Sequence, residues 1–175
     1  MRSDTSSEAV SAWAGPPPTT GAAAPVCLVV GLGNCLLRDD GVGVHAVRNL
    51  MRLPPEGALL LEVGTDVFSA VPWLERTPRV LAIDAMDAGL APGTIYQCNS
   101  SEVSVDGMRA SLHELSLLSI LEFVDRTKRP AITVLGVQPA VIDYGLALSP
   151  AVQEALPRVT QAARSLVLSW AKAKC

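Results

Sequence analysis

No apolar run of about 18 residues, the length a membrane-spanning helix requires, occurs in this 175-residue chain. The best stretch, Gly21 to Leu37, is interrupted by Pro25 and Asn34. A basic segment directly before an apolar core is also missing, since Arg2 is followed by Asp4 and Glu8, so neither export nor a membrane span is expected. Basic runs are absent too. With a net charge of −3 and scattered Lys and Arg, the chain offers no field for a nucleic acid. Aromatic residues amount to 4% against 49% hydrophobic, so the core must be aliphatic, built mostly from Ala, Val and Leu. The four cysteines, Cys27, Cys35, Cys98 and Cys175, form no C-x-x-C pair and fit neither a zinc ribbon nor a disulfide framework. They read as reduced thiols of a cytoplasmic protein. Cys27 sits in an apolar run and belongs to the core, whereas Cys35 is the candidate for a reactive thiol.

What is present is an alternation of apolar strands and helical patterns. Residues 1–24, rich in small residues and with a triple proline, are expected to be a disordered extension, leaving 25–175 as a single domain. Strands are expected at VCLVVG (26–31), ALLLEV (58–63), RVLAID (79–84), GTIYQCN (93–99, at an edge) and AITVLGV (131–137). Between them lie a helix carrying Val44, Val47, Leu50 and Met51 on one stripe, a short one over 66–74 weakened by Pro72, and one over 111–124 whose Ser111 and Glu114 have capping-box spacing. A long C-terminal helix over 149–173 is expected to kink or break at Pro157. Fully apolar strands separated by helices predict an α/β fold, a three-layer sandwich with a twisted, mostly parallel sheet and helices on both faces. Ligands of such sheets bind beyond the carboxyl ends of the strands.

The motif GLGNCLLRDDGVGVH (31–45) begins like a nucleotide-binding loop, but Leu36 stands where the third fingerprint glycine would be, and there is no P-loop lysine. A phosphate here would meet Asp39 and Asp40. Like charges about 4 Å apart repel by roughly 4 kcal/mol at an effective dielectric of about 20. A helix dipole returns only about 0.3–1 kcal/mol. Nucleotide binding in the usual mode is therefore disfavoured. Asp40, Val44, Val47 and Met51 are spaced 4, 3 and 4 and share a face, so Asp40 points inward if the valines pack on the sheet. Asp39 is then free to serve as the helix N-cap. A second acid, Asp84, ends an apolar strand at the same carboxyl edge, with Asp87 in the turn that follows. Of the two histidines, His45 points away from Asp40 and is assigned a surface or packing role. His113 stands at a helix start, which favours a neutral, metal-binding imidazole, although a lone histidine is more often structural. Asp40, Asp84 and His113 together would offer O, O and N ligands to a divalent transition metal.

These residues resemble a family. VVGLGNCLLRDDGVGVHAV is similar to the amino-terminal signature of hydrogenase maturation proteases, the endopeptidases that trim the large subunit of [NiFe] hydrogenases. Further segments match in order: VGT (63–65), VLAIDAMDAGLAPGTIY (80–96), SLHELSLLSIL (111–121) and LGVQP (135–139), so the resemblance spans about residues 26–170. It implies an α/β sandwich and three nickel-contacting positions, here Asp40, Asp84 and His113. It also implies that nickel already carried by the large-subunit precursor is the signal for cutting its C-terminal extension. Many relatives carry Glu at the position of Asp40, and some carry D-G-G-T where EVGT stands. For the chemistry, water attack on a metal-polarised carbonyl with an Asp as general base stands beside an aspartic-protease-like dyad of Asp39 or Asp40 with Asp84. A non-catalytic, nickel-sensing or chaperone-like module that binds the same subunit is the alternative. The protein is expected to act as a monomer.

Overall fold

A computed structural model of the chain describes residues 25–99, 117, 119, 121 and 124–173. Strands form at β1 (Cys27–Leu32), β2 (Ala58–Gly64), β3 (Arg79–Ala85), β4 (Ile95–Asn99) and β5 (Ala131–Val137). They form one sheet of order β2-β1-β3-β5-β4, in which β1, β2, β3 and β5 run parallel and β4 pairs antiparallel with β5 at the edge. The helices are α1 (Val42–Met51), α2 (Val71–Leu74) and α3 (Pro150–Lys172).

The central strands β1, β3 and β5 are mostly apolar because both of their faces are covered. Cys27, Val29, Leu81, Ile83, Leu135 and Val137 pack with Val42, Val47 and Leu50 of α1 and Val152, Val159 and Val167 of α3. Their neighbours in the strands, Leu28, Val30, Val80, Ala82, Ile132 and Val134, point to the other face and meet Trp73, Leu74 and Leu117. Alternation with period two thus divides one set of apolar strands between two half-cores. Among the described residues no helix is long and apolar enough to cross a membrane.

Two helix expectations are refined. Pro72 lies in the first turn of α2, where its missing N–H is not needed, so the short helix forms behind a 3-10 turn at Val67–Ala70. Pro157 does not break α3, which runs unbroken from Pro150 to Lys172. Its side is exposed, so water can serve the carbonyl that the proline leaves without a donor. Residues 1–24, His113, Cys175 and most of the expected 111–124 helix, including Ser111 and Glu114, lie outside the described residues.

From β1 the chain crosses to β2 on one side and then returns to β3 on the other. The topological switch point therefore falls between β1 and β3, the place where open α/β sheets hold ligands. The loop after β1 contains Asp40, and β3 contains Asp84.

Candidate active site

The glycines of the first motif let backbone lie on backbone. Gly33 has φ +110, and a Cβ there would collide with the carbonyl of Asp40. Gly43, in the first turn of α1, sits where a Cβ would strike the carbonyls of Leu32 and Ile83. The start of α1 is thereby seated on the carboxyl ends of β1 and β3. Gly31 pairs with Ile83 in the sheet, which sets the end of β1 beside Asp84. The glycine-rich turn thus serves to bring acids to the switch point, which answers to its sequence better than a phosphate cradle does.

Asp40 is buried, as its stripe with Val44 and Val47 requires. Its Oδ2 accepts the backbone N–H of Asn34 at 2.6 Å, folding the loop back over the start of the helix. Asn34 in turn accepts the N–H of Leu36 through Oδ1 at 2.9 Å. Asp84 is fully buried at the end of β3, with its Oδ1 2.8 Å from the N–H of Ala85. Two buried carboxylates are thus carried to one sheet edge by neighbouring strands. Burial of such groups is favourable only with donors or a cation to meet them.

Asp39 departs from expectation. It makes no cap for its own helix, whose N-cap is Gly41 with no side-chain bond. Its carboxylate is fully buried and accepts from Ser149 N at 2.6 Å, Ser149 Oγ at 2.8 Å, Ala140 N at 2.8 Å and Val141 N at 3.0 Å. Asp39 therefore fastens the first motif to the loop before α3 and to the residue that caps α3. With both oxygens held by these donors, it is a structural acid, and the form of the dyad that pairs Asp39 with Asp84 is set aside.

The turn after β3 is organised by a residue that sequence reasoning passed over. Gln138 is buried; its Oε1 accepts from Ala88 N at 2.9 Å and Leu90 N at 3.1 Å, and its Nε2 donates to Asp87 Oδ1 at 3.0 Å. Asp87 Oδ1 also receives Gly89 N at 3.0 Å, so Asp87 shapes the turn that follows Asp84. The matched segment LGVQP was the signal that could have found Gln138, and Ser-Pro at 149–150, an N-cap followed by proline at N1, could have drawn attention to Ser149.

An open cleft of about 320 Å³ runs along the ends of β1 and β2, lined by Gly33, Asn34 and Cys35, by Val44 and Arg48 of α1, and by Glu62 to Asp66. Asn34 joins it to Asp40. Within it Arg48 Nε meets Glu62 Oε2 at 3.0 Å. Cys35 lies here half-buried, with its thiol pushed up by burial despite the nearby Arg48 guanidinium, so it is kept protonated and is no activated nucleophile. Cys27 is a core thiol, as expected, pushed up to about 11 by burial. His45 is half-buried; burial, then the Arg48 charge, lowers its pKa, and its Nε2 makes no hydrogen bond among the described residues. No group of three or more His, Cys, Asp or Glu able to hold a metal occurs among the described residues, which do not include His113.

Comparison with known proteins agrees with this geometry. The family model described as hydrogenase maturation protease matches residues 44–166. The hydrogenase expression/formation protein HupD of Rhizobium leguminosarum bv. viciae is 31% identical over 163 residues, covering 89% of this chain and 78% of that protein. The [NiFe] hydrogenase maturation protease HybD of Thermococcus kodakarensis superposes with a TM-score of 0.69 at 29% identity, over 81% of this chain and 98% of that one. The hydrogenase maturating endopeptidase HybD of E. coli, at 23% identity and TM-score 0.71 over 82% and 92% of the two chains, shares the fold. An α/β sheet that seats two buried acids at its switch point, together with these similarities, shows that the chain belongs to the hydrogenase maturation proteases, a family of endopeptidases.

Proposed function

We propose that this protease removes the C-terminal extension of a [NiFe] hydrogenase large-subunit precursor in the cytoplasm after nickel insertion. In this reading the nickel belongs to the substrate, and Asp40, Asp84 and His113 of the protease address it. The observation that carries the reading is the delivery of two buried carboxylates, Asp40 and Asp84, to adjoining strand ends at the switch point. A divalent ion arriving on the precursor offsets their mutual repulsion, so the surface closes favourably only on a metal-loaded partner. The match of SLHELSLLSIL to the family segment supports His113 as the third, nitrogen ligand.

In this reading Asp40 and Asp84 carry the cleavage chemistry, one taking a proton from attacking water and the other holding the scissile segment or sharing that proton. The test is incubation of purified precursor with the protease, followed by intact-mass measurement. Loss of a C-terminal peptide supports the reading, whereas binding without any loss of mass makes the chain a chaperone-like module instead.

A further inference from the structure

Eight large apolar side chains are exposed among the described residues, and six of them, Leu36, Phe68, Leu90, Ile142, Tyr144 and Leu146, follow the carboxyl ends of the four parallel strands. Only Leu53 and Leu168 lie elsewhere. Apolar exposure is therefore concentrated on the face that carries Asp40 and Asp84, where a sheet edge of an ordinary globular domain would be polar.

Four of the six form one built unit. Leu36 is 59% exposed, Ile142 52%, Tyr144 84% and Leu146 73%. Their two loops are paired as a short parallel bridge between Leu37 and Gly145, with Arg38 N donating to Gly145 O and Gly145 N to Leu36 O, each at 2.9 Å. Arg38 holds φ 49, a left-handed conformation uncommon for a residue with a side chain, and its side chain lies over Gly145. The buried Asp39 carboxylate anchors the second loop through Ala140 and Val141. These apolar side chains are thus held out by a rigid frame, so little ordering cost remains to be met on docking.

We infer that the paired loops 36–38 and 142–146 are the docking surface for the folded body of the large-subunit precursor, an inference that rests on the proposed protease reading. Continuity with the site selects this occupant. The bridge at Leu37 and Gly145 runs through Arg38 and Asp39 into Asp40, so these apolar groups stand on loops continuous with the candidate site. Apolar groups spread over the ends of several strands suit a broad, folded surface; a single extended peptide would need only the cleft beside Asn34.

The experiment uses nickel-loaded precursor, purified and titrated against wild type, the double variant Tyr144→Ser/Leu146→Ser, Leu36→Ser and the control Leu168→Ser. Surface-biosensor affinity, KM and kcat are read for each after a melt confirms folding. Both loop variants should weaken affinity and raise KM by roughly tenfold, with kcat within about twofold and Leu168→Ser unchanged. Unchanged affinity and KM in the loop variants would overturn the docking surface while leaving the protease reading intact. Wild type that binds but never cuts would sink the protease reading, and the affinities of the variants would still decide the surface. Sedimentation that shows a wild-type dimer dissolved by the loop substitutions would assign the surface to a second copy and overturn the inference.

Discussion

Ser149 offers both its backbone N–H, at 2.6 Å, and its hydroxyl, at 2.8 Å, to the buried carboxylate of Asp39. This contact ties the loop after the first strand to the start of the last helix, and it gives the first of the motif's two adjacent acids a structural role. Asp39→Ala strands several buried donors and should lower stability by about 3–5 kcal/mol in urea unfolding. Asp39→Asn turns an amide donor toward at least one of those N–H groups and should cost at least about 2 kcal/mol. An Asp39→Asn variant of full stability that fails to process precursor would return Asp39 to the chemistry.

The neighbouring acids should behave in the opposite way. In Asp84→Asn the amide oxygen can still meet Ala85 N, and in Asp40→Asn it can still meet Asn34 N. Both variants should fold and lose precursor processing by at least about a hundredfold, the scale on which removal of an acid–base group acts. Asp40→Glu keeps the carboxylate that the resemblance implies is needed at this position and should keep activity. A folded Asp84→Asn or Asp40→Asn enzyme that processes at the wild-type rate would remove that residue from the mechanism.

Much of this was legible before the fold. The parallel strands announced themselves as short apolar runs and the edge strand by alternation after a Pro-Gly turn, and the 4, 3, 4 spacing from Asp40 to Met51 placed Asp40 on the inward side, where it is buried. The family likewise emerged from ordered motifs. The role of Asp39 was not legible, because its partners lie 101 to 110 residues further along and no local spacing encodes them. At Pro157 the helix continues without a break to Lys172, with the proline on its exposed side. The third member of the expected ligand set, His113, is outside the described residues, so its place at the site rests on the resemblance.

His45 gives a pH dependence with a definite sign. Burial and Arg48 lower its pKa in the fold below the ordinary 6.5, so the native state favours neutral imidazole. The unfolded chain then binds the extra proton first as pH falls. His45 should contribute its full stability above pH about 6.5 and lose it between there and its lower folded value, with no further loss below. His45→Gln should flatten the fall of the urea midpoint as pH drops below about 6.5. An unchanged slope would mean that another group carries it.

Thiol reactivity tests the absence of a cysteine nucleophile. With its pKa near 11, Cys27 is about one part in a thousand thiolate at pH 8, and it is buried as well. Iodoacetamide on the folded protein should leave Cys27 untouched and modify Cys35 more slowly than a free cysteine peptide, as mapped by peptide mass. Rapid alkylation of Cys35 with parallel loss of processing would place the thiol in the mechanism.

The most direct measurement compares precursor purified with and without nickel in one cleavage assay, read by intact mass, using wild type, His113→Ala and His45→Ala. Without the cation, the precursor presents no metal for Asp40, Asp84 and His113 to address, so nickel-free precursor should remain uncut by every version. Nickel-loaded precursor should be shortened by wild type and His45→Ala and much less by His113→Ala, because protonation or loss of that imidazole removes a metal contact. Equal shortening of the two precursor forms by wild type would contradict nickel recognition by Asp40, Asp84 and His113.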